Sequence, residues 1–152
     1  MDSDLADALR DAQARYVIGD LPGEELPVLA IRLLEGGLDS PAIRELASLS
    51  RPTLRDAGSI FDRLLTEISE PALSRDEAIR VLGAAIARRV LSGGLVPGAA
   101  ADKLGALWLQ LGQPTLLDGY WELADEYECR PDDHAVIDED VRMRLGEFLR
   151  HS

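Results

Sequence analysis

Leu29-Ala30-Ile31-Arg32-Leu33-Leu34-Glu35-Gly36-Gly37-Leu38-Asp39-Ser40-Pro41, with Pro52-Thr53-Leu54-Arg55-Asp56 eleven residues after Pro41, reads as a helix, a glycine stop, a proline start and a third helical start. The same order returns further on. Ile86 to Leu91 reads as helix and Gly93-Gly94-Leu95 as a stop. Pro97 then opens an apolar helix, and Pro114-Thr115-Leu116-Leu117-Asp118 repeats the closing phrase. Glycine after a helix and proline at its first position are the ordinary stop and start signals. Their recurrence predicts two similar helical units, 22–70 and 74–128, each covering an apolar face. The spacing is not identical. Pro41 lies five residues after Gly36 and Pro97 four after Gly93, and the second proline-to-proline interval is 17 residues.

Helix 3–18 carries Leu5, Leu9, Ala12 and Tyr16 at steps of three and four, and Gly19 stops it. A helix from about Pro22 aligns Leu26, Leu29, Ala30, Leu33 and Leu34. Ser40 caps a short helix holding Ile43, Leu46 and Ala47. Thr53 and Asp56 form a capping-box variant ahead of Leu54, Ala57, Phe61, Leu64 and Ile68. Ser74-Arg75-Asp76-Glu77 is a full capping box before Ile79, Leu82, Ile86 and Val90. Leu104, Leu107, Trp108 and Leu111 follow Pro97. A seventh helix is expected from Thr115, with Leu116, Tyr120, Leu123 and Tyr127 on one line and Leu117, Trp121 and Ala124 beside it. Helix 136–150 buries Ile137, Val141, Leu145 and Phe148. No segment alternates with period two long enough to be a strand. The fold class is therefore all-α: one domain over 1–152, a compact bundle of seven to eight helices, with the two units flanked by helices 3–18 and 136–150.

Composition agrees. A chain of 152 residues buries about 70% of its unfolded surface and needs neither metal nor disulfide. Aromatics are only 5%, so Leu, Ala, Ile and Val must fill the core, a palette suited to close helix packing. The single Cys129 excludes an intrachain disulfide framework and fits a reducing compartment. The acidic start Met1-Asp2-Ser3-Asp4 is unlike a secretory signal, and no apolar run approaches the ~20 residues of a membrane span. The expectation is a cytoplasmic protein that binds no membrane.

The net charge of -12, from 28 acidic and 16 basic residues, repels nucleic acid and anionic lipid and favours a basic partner. Fifteen of the sixteen basic residues are Arg, which with abundant Ala, Leu, Gly and Asp is the composition of a GC-rich genome. Ala42 to Leu54 superficially suggests a helix-turn-helix. Arg51 stands where the turn glycine belongs, however, and Arg55 and Arg63 are balanced by Asp56 and Asp62. DNA binding is rejected.

No phosphate loop, no His-Glu-x-x-His and no cysteine pair is present, and His134 and His151 are the only histidines. No catalytic residue, cofactor or metal ligand is assigned, and the chain is not expected to be an enzyme. Cys129-Arg130-Pro131-Asp132-Asp133-His134 reads as a capping loop, with Cys129 buried and the aspartates capping the last helix. Between 125 and 140 lie Asp125, Glu126, Glu128, Asp132, Asp133, Asp138, Glu139 and Asp140, against Arg130 alone. Eight carboxylates in sixteen residues make a concentrated negative field. Trp108, Trp121, Tyr120 and Tyr127 gather the aromatics nearby, at spacings that suit a core; an exposed row would anchor an interface.

The stretch Leu29 to Ala47, quoted above through Pro41 and continuing Ala42-Ile43-Arg44-Glu45-Leu46-Ala47, resembles a phrase in small acidic helical proteins of GC-rich bacteria. Most of those have no assigned activity. The resemblance implies a fold and carries no catalytic residue; similar proteins sometimes serve as immunity partners of secreted toxins.

The function expected is a non-catalytic interaction domain, immunity- or regulator-like. It would bind a basic protein through Asp125, Glu126, Glu128, Asp132, Asp133 and Asp138 with Trp121 and Tyr127. The alternative is a small ligand-binding or enzymatic bundle with a polar pocket between the units, using Arg88 or Tyr120. An exposed apolar strip could also support a homo-oligomer.

Overall fold

A computed structural model of the chain describes residues 1–151. It is all-helical. Eight α-helices follow one another: α1 Ser3–Val17, α2 Glu25–Glu35, α3 Pro41–Ala47, α4 Leu54–Glu67, α5 Arg75–Leu91, α6 Pro97–Gln110, α7 Tyr120–Cys129 and α8 His134–Arg150. Short 3-10 turns cover Thr115–Leu117 and Pro131–Asp133, and no strand occurs among the described residues. No described helix is long and apolar enough to cross a membrane. The chain divides into two compact units, Met1–Ala78 and Ile79–Ser152, so the dividing point falls inside α5.

The first unit takes its core from the stripes read in the sequence. Leu9, Leu26, Leu33, Ile43, Leu46, Phe61 and Leu64 are almost wholly buried. Tyr16 meets Phe61 edge to face at 5.3 Å, and its hydroxyl lies 3.1 Å from Asp62 Oδ2 and 3.3 Å from the Gly58 carbonyl oxygen. Buried Gln13 donates from Nε2 to the Pro71 carbonyl at 2.7 Å, tying α1 to the segment after α4. Gly23 lies hard against the Pro52–Thr53 backbone, where a Cβ has no room. Helix α2 accordingly starts at Glu25, three residues later than the Pro22 start expected, and places Pro27 in its first turn.

The α3 N-terminus is satisfied from two sides. Ser40 Oγ accepts the Ile43 amide at 3.2 Å, and Glu67 of α4 accepts the Ala42 amide at 2.9 Å. At α4, Thr53 and Asp56 exchange the reciprocal bonds of a capping box. Ser74 and Glu77 do the same at α5.

The repeated phrase has a structural register. The left-handed residue is the second glycine in the first unit (Gly37, φ 91°) and the first in the second (Gly93, φ 82°). Counted from it, both prolines stand four residues on. The residue before each closing Pro-Thr-Leu is also left-handed: Arg51 at φ 48° and Gln113 at φ 63°. The extra length lies in α6, which has 14 residues against seven in α3.

The second copy of the phrase does not start a helix directly. Thr115–Leu117 forms one 3-10 turn, Gly119 turns left-handed at φ 91°, and α7 begins at Tyr120 rather than Thr115. The reason is Asp118. Its Oδ1 accepts the Trp108 indole N–H at 2.8 Å, whereas its counterpart Asp56 caps a helix. The second core holds Ile79, Leu104, Leu117, Tyr120, Ile137, Val141 and Leu145. Gly83 admits the Phe148 ring of α8.

Candidate functional site

In the second unit α7 lies close along α6, and small residues make that possible. Gly98, Ala101 and Gly105 are buried on one side of α6. A Cβ on Gly105 would stand 3.0 Å from Trp121 Cα and 3.2 Å from its amide nitrogen. One on Gly98 would meet the Tyr127 ring at 2.5 Å. Trp121, Ala124, Asp125 and Glu128 are spaced three, one and three apart and so share a face. With Asp102 of α6 they line a groove of about 200 Å³. Trp121 is 45% exposed. That corrects the expectation that the aromatics on this helix are core; Tyr120 alone is fully inside.

The expected site residues divide into two sets. Asp125, Glu126, Glu128 and Asp132 are exposed, as are Glu139 and Asp140. Asp133 is half-buried and ion-paired with Arg130 at 2.7 Å, and Glu126 lies 3.9 Å from the same guanidinium. Tyr127 is half-buried between Gly98 and His134, whose rings stack at 3.7 Å and 5°. His134 Nε2 lies 2.7 Å from the Tyr127 carbonyl oxygen. Asp138 is half-buried, and its Oδ1 has no hydrogen-bond partner among the described residues. The groove thus unites Trp121, Asp125 and Glu128 and leaves Tyr127 and Asp133 in structural contacts. Asp102 was missed in the sequence. Its signal was its place in Gly98-x-x-Ala101-Asp102-x-x-Gly105, the seam on which α7 lies.

Two loop expectations are corrected. Cys129 is exposed rather than buried, because α7 ends there and presents it to solvent. Asp133 stands at the start of α8 but makes no side-chain cap bond, since Arg130 holds its carboxylate. Of the two residues suggested for a pocket, Arg88 is exposed. Burial pushes the Tyr120 hydroxyl up to about 12, which keeps it neutral across the physiological range.

Charge on α7 runs against its dipole. Arginine occupies the last turn of α1, α2, α3, α5 and α8, where a cation is stabilised. The last turns of α4, α6 and α7 have no basic residue; that of α7 holds Glu126 and Glu128, with Arg130 following as its C-cap. Asp102, Asp125 and Glu128 form no ion pair or hydrogen bond with the described residues. A concavity of about 300 Å³ in the first unit, beside α1 and α2, is the opposite case. There Arg15 already binds Glu25 at 2.8 Å and stands 3.9 Å from Asp11, whose carboxyl burial holds above its usual range. Among the described residues no group of three or more His, Cys, Asp or Glu side chains converges to hold a metal ion.

No family model, curated protein or solved structure matches this chain.

Proposed function

We propose that the protein is a non-catalytic interaction domain that binds a basic protein through the acidic surface of α7 and the start of α8, in the manner of an immunity protein or regulator. The observation that carries this reading is the row of exposed carboxylates along α7 and the start of α8, with Arg130 alone among them. Glu126 and Glu128 lie in the last turn of α7, where the helix dipole favours a cation, and of the two the Arg130 C-cap reaches only Glu126, at 3.9 Å. Asp125, Asp132, Glu139 and Asp140 extend the field, and Arg130 is the one cation within the run. Such a field raises association rate and rejects acidic competitors.

The test compares wild type with Glu126→Gln/Glu128→Gln, each immobilised and exposed to lysate of the source cell. A protein of net positive charge should be retained by wild type, released by about 0.5 M salt, and lost from the variant. The same variant should keep its stability to within ~1 kcal/mol, because relief of the dipole and loss of the exposed Glu126–Arg130 contact oppose each other. Equal retention by both proteins, or retention insensitive to salt, overturns the reading.

A further inference from the structure

The groove in the second unit has chemistry more specific than negative charge. Its wall is the indole of Trp121, 45% exposed and without a hydrogen-bond partner among the described residues. Trp108, the other tryptophan, is half-buried with its N–H bonded to Asp118. Leaving the largest aromatic surface in water is costly, and an indole face is the best side-chain platform for a cation. Around it stand Asp102, Asp125 and Glu128, none engaged with an arginine of the chain. These three carboxylates do not converge as a metal site would. A guanidinium, flat and carrying several donors, can bond more than one such carboxylate at once, which a point charge does less well. The hollow is about 200 Å³, below the roughly 300–1,000 Å³ of pockets for drug-sized ligands, and so matches one inserted side chain.

We infer that this groove receives an arginine side chain of a basic polypeptide, its guanidinium stacked on Trp121 and hydrogen-bonded to carboxylates among Asp102, Asp125 and Glu128. Arginine is favoured over lysine because its planar fork can stack and bond at once, whereas an ammonium is a compact, strongly hydrated charge. Gly105 is the positioning residue. A Cβ there would stand 3.0 Å from Trp121 Cα, so its absence lets α7 lie close against α6. The inference rests on the interaction reading above and names what its surface selects.

The full chain, labelled with ¹⁵N, is titrated with three capped pentapeptides that differ only in carrying two arginines, two lysines or two citrullines. The Trp121 indole N–H resonance reports the groove, and that of Trp108 is the internal control. The arginine peptide should shift Trp121 and leave Trp108 in place, the lysine peptide should bind more weakly, and the uncharged citrulline peptide should not bind. Trp121→Leu keeps an apolar side chain without the π face and should weaken arginine-peptide binding about two- to fivefold. Asp102→Asn/Asp125→Asn should weaken it and flatten its salt dependence. All these positions are exposed, so the variants should fold. Shifts at Asp132, Glu139 and Asp140 with an unmoved Trp121 would overturn the groove and leave the acidic-surface reading standing. Absence of any shift would overturn both. Equal shifts with arginine and citrulline would reduce the groove to an apolar contact and overturn the inference.

Discussion

At the scale of single residues, Glu67 shows how an exposed carboxylate can matter to folding. Hydrogen bonds from Ser40 and the Ala42 amide hold its carboxyl below the ordinary value of 4.5. A depressed folded-state value means stability that is complete above 4.5 and lost as pH falls through the lowered value. Glu67→Gln should therefore melt below wild type at about pH 7, with the gap narrowing as pH falls below 4.5 through the lowered value, as followed by circular dichroism. Ser69 has the reverse character. It ends α4 at φ 59°, where the Glu70 amide reaches back to the Leu65 carbonyl at 2.9 Å. Glycine takes this role after α1, α2, α5 and α6. Relief of roughly 1–2 kcal/mol of left-handed strain, less the entropy glycine adds to the unfolded chain, predicts that Ser69→Gly stabilises by about 0.5–1 kcal/mol. A lower denaturation midpoint for that variant would contradict it.

At the scale of elements, what was legible in the sequence is what neighbours in the chain decide. Helix α4 follows from Thr53, Asp56 and the stripe Leu54-Ala57-Phe61-Leu64-Ile68, all within one helical stretch. Its stripe and cap agree, so nothing distant needs to arbitrate. Helix α7 starts five residues late because a similar phrase, with Leu117 where the first copy has Arg55, met a partner ten residues back. Asp118 is taken by the Trp108 indole and is no longer free to cap. The exposure of Trp121 was hidden for a related reason. Periodicity places it on a line, but which line faces inward is set by Gly105 on another helix. The acidic run was plain in the sequence. Its division into outward carboxylates and the paired or half-buried Asp133 and Asp138 required the turn between α7 and α8.

At the scale of the molecule, each unit builds its core from its own helices, with Phe61 central to one and Leu104, Leu117 and Val141 to the other. Phe61→Ala should cost about 3–5 kcal/mol, because the ring is fully buried and its neighbours fill in only partly. Both tryptophans, Trp108 and Trp121, lie in the second unit, while the first has only Tyr16 among the fluorescent aromatics. Optically the protein is therefore one-sided. Indole emission witnesses the second unit alone, while far-ultraviolet ellipticity sums over both. With Phe61→Ala, the ellipticity midpoint in urea should fall further than the emission midpoint; equal displacement would mean that the two cores melt as one. The chain thus supplies its own contrast agent, and the fate of each half can be followed without attaching a dye.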